Sequence, residues 1–242
     1  MTNFFKGFAL AVSMLTIIPF FKIHNFFKGI NGYAVMSYPL VGFLLGLILY
    51  FSHFILSPYF TPLHVGIIIF TLWIVLTGAL HLDGFSDTVD GLFVNKERSL
   101  EVMKDPNTGG MGMIFTVTFL ILKASTLTSF EAFYLLPIVL MLSRLNAVLA
   151  IYYYPYVSQK GMGSLAKEEL SKTHVIIAII YSVFLTISFS ASTLILISLI
   201  TLWLIKNFFI KRYGGFTGDI YGFSIEVTEL ILLNMILLGF AL

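Results

Sequence analysis

The sequence predicts an all-α protein, a polytopic helical bundle built into a membrane, on three observations. The chain is 58% apolar and 11% charged, with a mean hydropathy of +0.97, whereas a soluble domain carries roughly a quarter charged residues. Its apolar residues gather in runs close to the ~20 that a helix needs to cross a bilayer. Lys and Arg recur in every second connection between those runs, the asymmetry that orients a membrane protein. The net charge of +2 gives no sign of a nucleic-acid partner. There is no cysteine, which excludes disulfides, thiolate metal sites and cysteine nucleophiles. No repeat and no Pro- or Ser-rich linker divides residues 1–242, so one membrane-embedded domain is expected. No small-residue cleavage site follows an early apolar core, so no removable signal is expected.

The first apolar stretch, Phe4 to Phe21, is short, carries Lys6 near its start and meets Pro19. It reads as a re-entrant or interfacial helix rather than a span. Seven further stretches read as spans: 33–57, 64–81, 110–128, 132–154, 174–190, 192–210 and 220–242. The connections near 58–63, 129–131 and 191 hold no Lys or Arg. The segment before 33 holds Lys22 and Lys28, and 82–109 holds Lys96, Arg98 and Lys104. Residues 155–173 hold Lys160, Lys167 and Lys172, and 206–219 hold Lys206, Lys211 and Arg212. This alternation puts the 82–109, 155–173 and 206–219 loops in the cytoplasm, with the protein in the plasma or inner membrane. Of the 12 Asp and Glu, only Glu131 falls in an outer connection. Chemistry is therefore expected at the cytoplasmic face, whereas a transporter more often places ionisable groups near the midplane.

The chemically densest stretch is His81-Leu82-Asp83-Gly84-Phe85-Ser86-Asp87-Thr88-Val89-Asp90-Gly91. As a helix it puts Asp83, Asp87 and Asp90 on one face, at i, i+4 and i+7. Like charges there repel unless a cation sits among them, and Mg²⁺ suits carboxylate oxygens while leaving sites open for phosphate. The alternative is a solvated helix end. His81 either donates to a phosphate, orients a carboxylate, or is an interfacial histidine with no role. Residues 97–104 read as a short amphipathic surface helix. Next, Lys104-Asp105-Pro106-Asn107-Thr108-Gly109-Gly110-Met111-Gly112 runs into a span, and a Gly-rich loop at a helix start offers backbone N–H groups to an anion. Lys104 adds a point charge for a phosphate. Lys123 and Arg144 fall inside spans, where charge is costly and faces a cavity or a partner. Lys123, nearer the outer end, is expected to snorkel; Arg144 is either a buried ion pair or a substrate contact. In the last span Asp219 and Glu226 share a face and Glu229 follows. These acids complete a metal site, hold Lys or Arg, or supply a general base.

These residues resemble the cobalamin-5′-phosphate synthase, or adenosylcobinamide-GDP ribazoletransferase, family. Its His-Leu-Asp-Gly-x-x-Asp-Thr-x-Asp-Gly pattern is matched by His81 to Gly91, and its Met-Lys-Asp…Gly-x-x-Gly by Met103, Lys104, Asp105, Gly109 and Gly112. Its intramembrane Lys and Ser-Arg are matched by Lys123 and by Ser143 and Arg144, and a Gly-x-Gly by Gly161 and Gly163. Its closing pattern is matched by Gly214, Gly215, Thr217, Gly218, Asp219, Gly222, Glu226 and Glu229. The segment from Pro106 to Gly110 departs from the usual loop, which leaves its phosphate contacts open. The resemblance implies a Mg²⁺-dependent transferase that joins adenosylcobinamide-GDP to α-ribazole or its 5′-phosphate and releases GMP, late in cobalamin biosynthesis. With the residue-level reading, it gives Asp83, Asp87 and Asp90 as metal ligands and Asp83, Asp90 and Asp219 as catalytic groups. His81, Lys104, Asp105, Gly109, Gly112, Lys123, Arg144, Gly163, Thr217, Glu226 and Glu229 are then substrate-binding. The partners are those small molecules and the lipid bilayer; a homo-oligomer stays open.

Two other readings compete. CDP-alcohol phosphotransferases open their signature with a pattern that Asp87 to Gly91 matches, but Leu92 to Asn95 lack the Ala-Arg that follows, and the later half has no match. A cation-coupled transporter would use the acids as ion ligands, and GMP release would remove it. The orientation is testable in this cysteine-free chain. Cysteines introduced at Asn95, Ser158 and Asn207 should resist an impermeant thiol reagent added outside intact cells. Labelling of any of them would overturn the assigned sidedness.

Overall fold

Where water is absent, backbone N–H and C=O groups must pair within their own segment, so long apolar runs become helices. The computed structural model follows this throughout the residues it describes, 2–19, 27–158 and 162–240. The helices are α1 (Asn3–Leu15), α2 (Ile30–Leu56), α3 (Pro62–Thr77), α4 (Leu80–Leu92), α5 (Lys96–Val102), α6 (Gly110–Thr128), α7 (Leu136–Tyr153), α8 (Met162–Glu169), α9 (Lys172–Ser188), α10 (Ser192–Tyr213) and α11 (Gly218–Leu237). A 3₁₀ turn, Phe133–Leu135, leads into α7, and a lone parallel bridge joins Tyr156 to Phe216. Five of the helical segments are long and apolar enough to cross a membrane, and up to seven if each of two bent pairs is one span. The all-α, multi-pass bundle expected from composition is what the chain forms.

Differences from the sequence reading lie at the breaks. The 64–81 run does not continue straight. Gly78 and Ala79 both take left-handed backbone, with φ of 59° and 55°, and the chain turns by 85° from α3 into α4. Residues 82–92, the start of an expected loop, are therefore a helix, and its inner face is buried against α11 and α6. Ala79 adopts a conformation that costs an L-residue roughly 1–2 kcal/mol, so the packing of α4 must hold it there. The 155–173 connection likewise contains a helix, α8, set at 96° to α9. With 13 residues, α1 is about 20 Å long, too short to cross a ~30 Å apolar core by itself. Phe20, Phe21, Lys22, Lys160, Gly161 and residues 241–242, used in the sequence reading, lie outside the described residues.

α7 is the central post, buried from Leu136 to Ile151. α2, α9, α10 and α11 all pack on it. Two glycines one turn apart on α2 set its closest approach. A Cβ on Gly42 would collide with the Leu140 carbonyl, and one on Gly46 with the Pro137 backbone. This Gly-x-x-x-Gly face was not noted in the sequence, although small residues four apart commonly let membrane helices touch. At one end of the bundle the connections are tied together. Arg212 Nη2 donates to the carbonyls of Leu92 and Val94 at 2.9 and 3.2 Å. Lys167 Nζ donates to those of Ile151, Tyr152 and Tyr154, closing the C-terminus of α7.

Gly42→Ala and Gly46→Ala should each destabilise the bundle by about 1–3 kcal/mol, because an added methyl meets the α7 backbone and, at Gly42, the buried Arg144 side chain as well. Gly110→Ala, where a Cβ meets open space, should melt within experimental error of the wild type. Thermal denaturation of the detergent-solubilised variants checks this, and wild-type melting of both α2 variants would refute the close-contact account.

Candidate active site

α4 delivers the aspartates. Gly84 lies against the Asp219 backbone, where a Cβ would sit 2.9 Å from the Asp219 carbonyl oxygen. Phe85 packs between Phe119 and Phe223, so α4, α6 and α11 share a small apolar cluster beneath the acids. On this base Asp83 is exposed, Asp87 half-buried and Asp90 buried. Asp219 opens α11, whose N-cap is Thr217: its Oγ1 accepts from Ile220 N at 3.3 Å and lies 3.3 Å from Asp219 Oδ2. The charges of Asp83, Asp219 and Asp90 all bear on Asp87, and Lys104 bears on Asp219.

The structure gives Asp90 a different setting from its two neighbours. Its Oδ2 accepts from Gly109 N and its Oδ1 from Gly112 N, both at 2.7 Å. The anion at the start of α6 is thus the chain's own carboxylate, which satisfies two free N–H groups and the positive helix end. A Cβ on Gly109 or Gly112 would strike that carboxylate. The N–H groups that the sequence offered to a phosphate at these two positions are engaged within the protein. Asp105, in the exposed loop before α6, bonds Asn107 N and Nδ2 at 2.9 and 2.8 Å, and those donors hold its carboxyl below the ordinary range.

The charged residues of the spans meet one another. Lys123 Nζ lies 2.7 Å from Glu226 and 2.6 Å from Glu229, and 4.2 Å from the centre of the Trp73 ring. Arg144 Nη1 pairs with Glu229, and its Nη2 lies 3.4 Å from His81 Nδ1. Ser143 Oγ donates to Glu229 at 3.3 Å. Lys123 is only 3% exposed, so it does not snorkel as its position suggested; two carboxylates on α11 keep it inside. Of the roles left open for Arg144, Glu226 and Glu229, the geometry supplies ion pairing.

Two cavities flank Asp219. One, of about 250 Å³, is mainly apolar, and His81, Asp83, Gly163, Asp219 and Tyr221 are on its wall. The other, of about 320 Å³, is bounded by Lys104, Tyr156, Ser158, Thr217 and Asp219. Tyr156 lies between elements there, and burial, with the negative Asp219 adding to it, raises its phenol. The sequence reading missed Tyr221 and Tyr156; the ordinary signal was an aromatic two residues beyond Asp219 and another in the loop after α7. Among the described residues Asp83, Asp87 and Asp219 make no salt bridge. No three His, Asp or Glu there converge closely enough to enclose an ion. The fit to Mg²⁺ is therefore one of donor chemistry: carboxylates on two adjoining elements that form no salt bridge among the described residues, beside cavities that can take water or phosphate oxygens.

Comparison with known proteins shows which family the sequence resembles. The family model described as Cobalamin-5-phosphate synthase matches residues 7–237. An adenosylcobinamide-GDP ribazoletransferase of Desulforamulus reducens is 36% identical over 246 residues, covering 97% of each chain. One from Acinetobacter baumannii is 36% identical and covers 93% of this chain and 94% of its own. One from Clostridioides difficile is 32% identical and covers 96% and 97%. No solved structure matches the chain.

The buried ion pairs predict a specific stability pattern. Lys123→Met leaves Glu226 buried without its cation and should cost about 3–5 kcal/mol, the usual penalty for breaking a buried pair. Adding Glu226→Gln should restore a large part of that loss, since the stranded charge is gone. Melting temperatures of the single and double variants measure it; a double variant no more stable than the single one would contradict the pairing.

Proposed function

The chain belongs to the cobalamin-5-phosphate synthase family, and we propose on that basis that it joins adenosylcobinamide-GDP to α-ribazole or its 5′-phosphate and releases GMP. We place this chemistry at the cytoplasmic face of the plasma membrane, where the positively charged connections lie. The observation that carries the reading is a set of carboxylates with no salt bridge among the described residues: Asp83 and Asp219 on the wall of an apolar cavity, Asp219 also on a cavity edged by Lys104, and Asp87 within reach of their charges. An apolar space beside acids, opening to a cation, suits a reaction between an aromatic nucleoside and a diphosphate.

In this mechanism Asp83 and Asp87 would hold Mg²⁺, with Asp219 beside them. When bound, the metal offsets negative charge on the diphosphate and on the departing GMP. Lys104 adds a positive charge on the same side. The ribazole 3′-hydroxyl oxygen attacks the phosphorus on the cobinamide side. The new O–P bond forms as the bond from that phosphorus to the GMP oxygen breaks, and GMP leaves with the electron pair. Asp219 takes the hydroxyl proton. Asp90 is a poorer base because both its oxygens already accept N–H bonds; it positions α4 against α6. Thr217 steadies Asp219 through the start of α11.

The test is the purified protein with adenosylcobinamide-GDP, α-ribazole 5′-phosphate and Mg²⁺, assayed for GMP and the joined corrinoid. Asp83→Asn and Asp87→Asn should each lower Mg²⁺-dependent GMP release by 100-fold or more, about 2.7 kcal/mol. Their melting without Mg²⁺ should stay level or rise, by a few tenths of a kcal/mol for each like-charge pair removed. Near wild-type rates from both variants at the same Mg²⁺ concentration would sink the metal assignment.

A further inference from the structure

We infer that the apolar cavity on the α4–α11 side of Asp219 is the seat of an uncharged fused-ring heterocycle bearing one acceptor nitrogen, and that His81 reads that nitrogen. The inference deepens the proposed reaction and rests on it for the identity of the ligand: the base of the ribazole acceptor.

Three properties of the cavity select this class. The first is size. About 250 Å³ falls just below the roughly 300–1,000 Å³ of pockets for drug-sized ligands, a size that suits a bicyclic ring. The second is polarity. Met14, Leu15, Tyr38, Ile151 and Ile225 contribute to the wall, while Lys104 belongs to the other cavity. Apolar ring faces suit these side chains, and a phosphate finds its cation in the other cavity.

The third property is a donor with nothing to bond. His81 is 4% exposed, and its Nε2 has no hydrogen-bond partner among the described residues. Arg144 Nη2 lies 3.4 Å from the other ring nitrogen, Nδ1. A guanidinium carries only donors, so Nδ1 accepts and the ring hydrogen resides on Nε2. The buried ion pairs thus fix the tautomer that turns His81 into a donor on the wall of an apolar cavity. Tyr221 O–H, 7% exposed on the same wall, also has no partner among the described residues. A ring acceptor nitrogen meeting His81 Nε2–H would satisfy the stranded group. Asp83 and Asp219, on the same wall, then face the sugar attached to that ring.

The test compares two ligands on the full-length protein in detergent: α-ribazole and the matching indole riboside, in which C–H replaces the acceptor ring nitrogen. Binding is measured by calorimetry with no second substrate, so it reports on the cavity whether or not turnover occurs. The wild type should bind α-ribazole roughly threefold to tenfold more tightly than the indole riboside, the worth of one hydrogen bond. His81→Leu should bind both alike, and His81→Gln, which keeps an amide donor, should restore part of the preference. Ala147→Leu, which fills the cavity from α7, should weaken both ligands. Should His81→Leu not fold, the wild-type comparison and Ala147→Leu decide. Equal binding of the two ligands by the wild type, or unchanged binding by a folded Ala147→Leu, overturns the inference. If GMP release is found with that result, the proposed reaction stands and only this seat is lost. If the wild type prefers α-ribazole yet releases no GMP, the seat stands and the proposed reaction falls.

Discussion

The structure depends on a chain of buried charges that runs from Glu226 through Lys123, Glu229 and Arg144 to His81. It ties α6, α11, α7 and α4 together where no water competes. Two cations and two carboxylates balance, and Ser143 adds a hydrogen bond to the Glu229 oxygen that Arg144 uses. No member can be removed alone, since whichever charge remains would be stranded in a low dielectric. The arrangement is a geometric device more than a source of stability. It fixes how α4, which carries Asp83 and Asp87, meets α11, which carries Asp219.

Around that device the site divides its labour. Charges inside the bundle are spent on one another, while Asp83, Asp87 and Asp219 form no salt bridge among the described residues, and two of them, Asp83 and Asp219, stand on cavity walls. Asp90 marks the boundary between the groups. It sits on the same helical face as Asp83 and Asp87, but it fastens the start of α6. Three acids that look equivalent by spacing therefore have different surroundings. Two are accessible to a ligand, and one is part of the frame.

Much of this was legible in the sequence because its causes are local. Long runs without charge identify spanning helices, and the spacing of Asp83, Asp87 and Asp90 identifies a shared helical face. What stayed hidden depends on residues far apart in the chain. That Lys123 answers to Glu226 and Glu229 is a pairing across more than a hundred residues, and position in its own helix pointed instead to the membrane boundary. That Gly109 and Gly112 bond Asp90 requires knowing how α4 meets α6. The turn at Gly78 and Ala79 was obscured for another reason: alanine is a strong helix former, and nothing in Ala79 itself announces left-handed backbone. The Gly42 and Gly46 pair was visible as a pattern, yet its use depends on which helix lies opposite.

The wall of the apolar cavity draws Met14 and Leu15 from α1, Ala147 and Ile151 from α7, and Asp219, Tyr221 and Ile225 from α11. The first and last helices thus meet across one small space. During synthesis α1 to α10 leave the ribosome with this space still lacking a side and with Lys123 and Arg144 still without the carboxylates of α11. The binding surface comes into being only once the final helix has docked, as the closing event of a long-range assembly. A chain that stops before α11 has neither an enclosed seat for a ligand nor the carboxylates that answer Lys123 and Arg144.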